Sequence, residues 1–322
     1  MKKELYILDA SKKRMTVQSF KFLFFLIFTF HFAKAQQTEL KYLSGKGKDD
    51  MVNWQFYCTA GMHSGTWTTI GVPSCWELQG FGKYDYGFAK DSIRGKEKGM
   101  YKYEFTIPSS WKGKKIDIVF EGSMTDTEVK INGRPAGATH QGAFYSFKYD
   151  ISDLLKYDAT NLLEVTVSKQ STNPSVNAAE RKADFWIFGG IFRPVFLEAL
   201  PNTHIENISI DAKADGTFNA SLTSNVAVTK ATAQLYDAAG KIVGSVDMVN
   251  NKDQFIISKK IASAKQWSTE FPNLYKAIFS IYQNGKIIHT VSQKFGFRTV
   301  EVRQHDGIYV NGVKMKFKGV NR

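Results

Sequence analysis

YKYEFTIP, Tyr101 to Pro108, decides the fold. Tyr101, Tyr103, Phe105 and Ile107 occupy every second position, with Lys102, Glu104 and Thr106 between them, and Pro108 ends the run. A period of two puts the apolar groups on one face of an extended chain and the polar groups on the other, the pattern of a half-buried antiparallel strand. Working outward, the same period recurs at Ile116, Ile118 and Phe120, at Val129 and Ile131, and at Leu163, Val165 and Val167. No long stretch carries the i, i+3, i+4 spacing of an amphipathic helix. Asn132-Gly133, Asn284-Gly285 and Asn311-Gly312 separate strand-like runs. Asn and Gly both tolerate the positive φ of a type I′ hairpin turn, so each pair predicts a tight hairpin. The expected architecture is all-β, built from sandwiches.

The chain has 322 residues, 43% hydrophobic and 23% charged, enough apolar material for a sizeable core and far from the composition of disordered chains. That length suggests two domains. Composition shifts near Pro201: aromatics, glycine and long loops such as Ser171–Lys182 lie before it, and a plainer segment, Ile205 to Arg298, follows. The latter has the size of an immunoglobulin-like sandwich. Thr299–Arg322 then contains one hairpin and a strand-like run, Met315 to Val320, with no partner after it, so the chain reads as cut.

The first 35 residues read as an address. Phe22 to Phe32, FLFFLIFTFHF, is an apolar run preceded by Lys21 and followed by Ala33-Lys34-Ala35. A positive start, a short apolar middle and a small-x-small site make a secretory signal peptide, with cleavage expected after Ala35. The run is too short to span a bilayer, so no stable membrane insertion is expected after cleavage, and the protein is expected to be periplasmic or secreted. Met15 is an alternative start, and no cysteine follows the cleavage site to carry a lipid. Removing residues 1–35 takes away seven basic and two acidic residues, which lowers the net charge from +13 to +8, 36 basic against 28 acidic. The remaining charge is scattered, as in KDSIRGKEK (Lys90–Lys98), and no nucleic-acid partner is expected. Cys58 and Cys75 exclude a disulfide-dense scaffold and a four-cysteine zinc site; in an exported protein they could pair or remain two thiols.

Several motifs occur in a telling order: VPSCWELQGFGKYDY (Val72–Tyr86), YKYEFTIPSSWKGKKIDIVFEG (Tyr101–Gly122), EVKINGRPAG (Glu128–Gly137), HQGAFYSFKYDISDLL (His140–Leu155), DFWIFGGIFRPV (Asp184–Val195), WSTEFPNLY (Trp267–Tyr275), FGFR (Phe295–Arg298) and NGVKMKFKGVNR (Asn311–Arg322). Together they resemble the amino-terminal half of family 2 glycoside hydrolases, the family of bacterial β-galactosidases, over nearly all of residues 52–322. The resemblance implies a jelly-roll sugar-binding domain at 36–202 and an immunoglobulin-like β-sandwich at 203–298. The first strand of a truncated (β/α)8 catalytic barrel would lie at 299–322. It implies retaining hydrolysis of O-glycosyl bonds by two glutamates on later barrel strands, which need to lie about 5–5.5 Å apart. Those strands are not in the sequence, so no residue is given a catalytic role, including Glu77, Asp85 and Glu128. The expected partner is a β-linked oligosaccharide or glycoside, with homo-oligomers in a full-length enzyme. No cofactor is required, although a monovalent cation or Mg can serve the full-length form.

By the same resemblance, Asp184 is the candidate substrate-binding residue, reaching a barrel pocket to bind sugar and a nearby monovalent cation. A carboxylate accepts hydrogen bonds from a hydroxyl and helps neutralise a cation; a turn-forming aspartate is the structural alternative. Trp186 is a weaker candidate for stacking on a sugar face, set against a core or interface role, and the same core or interface role is expected for Trp54, Trp67, Trp76 and Trp111. Arg193 is expected to cap its strand edge, and His140 to sit in a loop. Departures from the family pattern are Gly189, where serine is frequent, Pro194, where aspartate is common, and Ser123-Met124, where lactose-type members carry Val-Asn. Met124 argues against lactose, while Arg322 favours a galactosidase-like branch over a β-glucuronidase. A stand-alone carbohydrate-binding or adhesion sandwich is the competing reading.

Overall fold

The computed structural model describes residues 37–90, 93–252 and 254–320. The expected signal peptide, with its cleavage site, and Arg322 lie outside the described residues. Among the described residues no helix is long and apolar enough to cross a membrane.

The run that begins at Tyr101 belongs to Lys98–Thr106, which pairs antiparallel with Thr160–Ser168 along its whole length. Tyr101 and Phe105 point inward, and Tyr103 stacks on Trp54 with ring centroids 5.1 Å apart. These two strands sit in a seven-stranded sheet, in which Trp67–Val72, Val52–Cys58, Lys98–Thr106, Thr160–Ser168, Asp126–Ile131 and Arg134–Pro135 follow one another. His140–Gln141 adds to Asp126–Ile131. Facing it is a four-stranded sheet ordered Glu39–Tyr42, Val195–Leu200, Lys115–Phe120, Phe147–Asp150. The inward rows of both sheets fill one core, with Trp54, Phe56, Trp76, Ile118 and Leu163 each no more than 1% exposed. In Lys115–Phe120 the alternation fails, because both faces are covered. Asp117 is buried there and tolerated, since Lys148 and Lys115 lie 2.9 and 3.1 Å from its carboxylate.

A second core lies between two further four-stranded antiparallel sheets. One is ordered Ile205–Ala212, Thr217–Ser224, Gln254–Lys260, Val249–Asn251; the other Ile242–Asp247, Lys230–Tyr236, Tyr275–Gln283, Lys286–Phe295. A small three-stranded sheet, Val300–Arg303, Gly307–Val310 and Val313–Lys314, follows. All three Asn-Gly pairs have positive φ at both residues and close the hairpins as expected, with Asn132 at 54° and Gly133 at 78°. Residues 315–320 join no sheet; Met315 is half-buried, its N–H donating to the Ile308 carbonyl at 2.8 Å, and residues 316–320 are exposed. Ser171–Lys182, expected as loop, contains the helix Pro174–Glu180. Asn173 caps it by accepting the Ser175 N–H, and Pro174 supplies the fixed φ of a first helical residue.

The two sandwiches meet at a buried histidine. His289 Nδ1 accepts the N–H of Ile205 at 3.0 Å, so the ring carries its proton on Nε2 and donates to Thr38 Oγ1 at 3.1 Å. Burial, with the neighbouring His204, pulls its pKa from 6.5 down to about 4. The folded state therefore holds a neutral ring that the unfolded chain would protonate first. Stability from this site is intact above about pH 6.5 and is lost as pH falls toward 4. In urea titrations His289→Gln, whose amide offers the same acceptor and donor, should lose stability less steeply across that window. One proton accounts for at most about 1.4 kcal/mol per pH unit; identical slopes would assign the acid sensitivity elsewhere.

Candidate functional site

Inward-facing positions of Thr160–Ser168 are Asn161, Leu163, Val165 and Val167, and the alternation carries one step further to Lys169. That step puts a lysine at the end of an apolar core, where an unpaired ammonium would be prohibitively costly. Lys169 is 0% exposed, and three carboxylates surround it: Glu77 at 2.8 Å, Asp85 at 2.9 Å and Glu97 at 3.0 Å. Each carboxylate also accepts backbone N–H groups. Glu77 takes Gly189 at 3.0 and 3.1 Å, Asp85 takes Gly95 at 2.9 and 3.0 Å, and Glu97 takes Lys83 at 2.9 Å. Burial alone would lower the Lys169 pKa, yet Glu77, Glu97 and Asp85 hold it above the ordinary lysine value. Burial also pushes the Glu77 carboxyl up against the downward pull of Lys169. Glu77 and Asp85 are thus structural anchors. Glu128, the other acid considered, is exposed on Asp126–Ile131.

What this knot ties down is the DFWIFGG segment. Trp186–Ile187 pairs antiparallel with Asp85–Tyr86, and Gly87 N–H donates to the Phe185 carbonyl at 2.8 Å. Buried Arg181 donates to the Phe188 carbonyl. Gly189 is packed so closely on buried Trp76 that a Cβ there would lie 2.1 Å from its ring. The glycine that departs from the family pattern is therefore dictated by its neighbour.

Above the knot the surface is aromatic and open. Trp186 is 55% exposed, with its ring edge-on to Tyr86 at 5.7 Å and to Tyr84 at 6.3 Å. Phe88 and Phe185 are exposed nearby in sequence. Asp184 is exposed beside them and accepts a hydrogen bond from the Tyr86 hydroxyl, which raises the pKa of that phenol. The two candidate residues named from sequence thus share one surface. A ring face beside a carboxylate can meet a pyranose through its C–H face and its hydroxyls.

The remaining candidates separate. Trp54, Trp76 and Trp111 are core, but Trp67 is 46% exposed, under the Lys102 ammonium 5.0 Å from its ring. Met124 is buried and exchanges backbone hydrogen bonds with Gly190, so position 124 does border the DFWIFGG segment. Arg193 caps backbone, donating to the Phe144 carbonyl at 2.9 Å. His140 lies in a short strand, stacked on Phe147 at 3.7 Å, and burial lowers its pKa. Cys58 and Cys75 are both free thiols, and burial pushes Cys75 up to about 12, leaving it protonated. Among the described residues no group of three or more His, Cys, Asp or Glu could hold a metal ion.

Residues 55–201 match the family model described as "Glycosyl hydrolases family 2, sugar binding domain", and residues 203–298 match "Glycosyl hydrolases family 2". A β-galactosidase of Halalkalibacterium halodurans is 31% identical over 290 residues, covering 83% of this chain and 28% of the relative. One from Streptococcus thermophilus is 30% identical over 273 residues, covering 79% of this chain and 26% of the relative. The chain spans between 26% and 31% of the length of curated relatives such as these. Among solved structures, a Bifidobacterium dentium β-glucuronidase has the same fold, with TM-score 0.69 and 22% identity over 89% of this chain and 53% of that one.

Removing the Lys169 ammonium leaves three buried carboxylates without their cation. Lys169→Met should cost about 3–5 kcal/mol in denaturant unfolding. Gly189→Ser should cost about 1–3 kcal/mol by forcing Trp76 aside, whereas exposed Asp184→Asn should stay within about 0.5 kcal/mol. A Lys169 variant as stable as the parent would contradict the anchoring role.

Proposed function

The chain belongs to family 2 of the glycosyl hydrolases, and we propose that it is the sugar-binding portion of an exported β-galactosidase-like enzyme. In this reading the catalytic carboxylates belong to the part of the relatives that this chain does not span, and the chain alone is expected not to turn over glycosides. The observation that carries this reading is the pairing of Asp184 with exposed Trp186 and Tyr86 on a segment anchored by a buried ion cluster. A surface held so firmly, yet itself open, is suited to close one side of a pocket whose other side comes from a barrel. Export is supported by the short apolar run and small-x-small site at residues 22–35.

In this reading the chain contributes orientation. Asp184 accepts a hydrogen bond from a sugar hydroxyl and would supply one oxygen to a monovalent cation bound beside it. Trp186 covers an apolar face of the sugar, and excluding water there strengthens each polar contact. The barrel supplies an acid/base and a nucleophile about 5–5.5 Å apart, the separation retaining chemistry requires. A galactoside is the favoured substrate, since several of the named relatives are β-galactosidases. Glucuronide is the second reading, supported by a Formosa agariphila relative named putative β-glucuronidase, 30% identical over 269 residues.

The test is nitrophenyl β-galactoside and nitrophenyl β-glucuronide hydrolysis by this chain and by the product of a reading frame extended downstream. The chain alone should give no turnover, while the extended enzyme prefers the galactoside. In that enzyme Asp184→Asn should lower kcat/KM about 100-fold, with an unchanged melting temperature. Turnover by the isolated chain, or an Asp184→Asn enzyme of full activity, would overturn the proposal.

A further inference from the structure

The solvent face of the seven-stranded sheet carries an ordered row that the Asp184 surface does not use. Trp67, Tyr57, Met100, Thr166 and Glu128 stand directly opposite one another on five adjacent strands. Thr69, Gln55, Lys102, Glu164 and Lys130 form the next row in the same register. Four steps between strands, each about 4.8 Å, make these rows ~19 Å long. Trp67 and Met100 are exposed at 46% and 37%, and a shallow depression of about 90 Å³ lies between Trp67, Met100, Glu128 and Thr166.

Two properties select the occupant. First, two lysines face two glutamates within these rows, and Lys102 lies 3.6 Å from Glu164, so the face is neutral on a chain of formal charge +13. A surface for a polyanion would gather its lysines and leave them unpaired. Second, Trp67, 46% exposed with the Lys102 ammonium 5.0 Å from its ring, ends one row, and the two rows together present hydroxyl, amide, carboxylate and ammonium groups. Such a face offers one aromatic contact and many donors and acceptors, which suits a polyhydroxylated chain and not an apolar protein helix. Protein interfaces have cores depleted of charge, and this face has charge along its middle. We infer that the open face of the seven-stranded sheet binds a neutral glycan chain, laid across the five strands with one sugar on Trp67. This goes beyond the proposed role of Asp184, because the two surfaces share no residue.

Native affinity electrophoresis of the full chain tests it, with gels containing β-1,4-galactan, hydroxyethyl cellulose or polygalacturonate. At least one of the two neutral polymers should retard the chain. Trp67→Ala and Thr166→Arg should each weaken that retardation at least fivefold without lowering the melting temperature, and Gln55→Arg replaces either one that melts early. Trp186→Ala should change it less than twofold, which separates this surface from the Asp184 surface. Three results would overturn the inference: no retardation by either neutral polymer, retardation by polygalacturonate alone, or retardation that survives these substitutions. A dimer in sedimentation that Thr166→Arg dissociates would also overturn it, since a second copy would then cover the face.

Discussion

The structure around the candidate site depends on one buried ammonium. Lys169 sits at the end of an apolar core with Glu77, Asp85 and Glu97 within 3.0 Å of its nitrogen. Taking four charges out of water costs several kcal/mol per ion, and their attraction offsets this only where geometry and further hydrogen bonds are good. Here every carboxylate also accepts a backbone N–H, so each has a hydrogen-bond partner besides the ammonium. An apolar cluster could fill the same space with as much stability. It would not hold Gly189, Gly95 and Lys83 at fixed hydrogen-bonding distances. The return on the desolvation cost is position.

That position is what the surface above requires. Asp184, Trp186 and Tyr86 are exposed, Trp186 at 55% and Tyr86 at 36%, and their arrangement rests on the strand pair and the anchored loops below. Binding groups on loops fixed by a rigid scaffold are the usual way a β-sandwich presents a ligand surface. Trp76 adds the second support. Its ring lies flush against Gly189, which leaves the segment no room to sink inward and gives no side chain larger than hydrogen a place there.

Much of the fold was legible in the sequence because its signals are local. Alternation at Tyr101–Ile107 and the Asn-Gly turns require only neighbouring residues to be read, and the backbone follows both. The Pro174–Glu180 helix also had a local signal, Asn173 followed by Pro174, inside a segment expected to be loop. Lys169 had none. A lysine after TNLLEVTVS reads as the solvated end of a strand, and its three partners come from distant loops that only the fold brings together. The tryptophans show the same limit from the other side. Trp54 and Trp67 both belong to a sequence rich in aromatics, and only strand register tells that one faces the core and the other faces water. Asp184 and Trp186 are candidates because DFWIFGG is a distinctive motif, and their contacts with Tyr86 are not visible in it.

Hydrogen–deuterium exchange on Lys169→Met measures the central dependence most directly, peptide by peptide. The Gly189 amide bonds to Glu77, the Gly87 amide to the Phe185 carbonyl, and both belong to the segment the cluster holds. The account predicts exchange at least tenfold faster across residues 85–90, 93–97 and 184–190, with residues 205–252 and 254–298 unchanged. Unaltered protection in 184–190, or loss spread equally over both sandwiches, would contradict it.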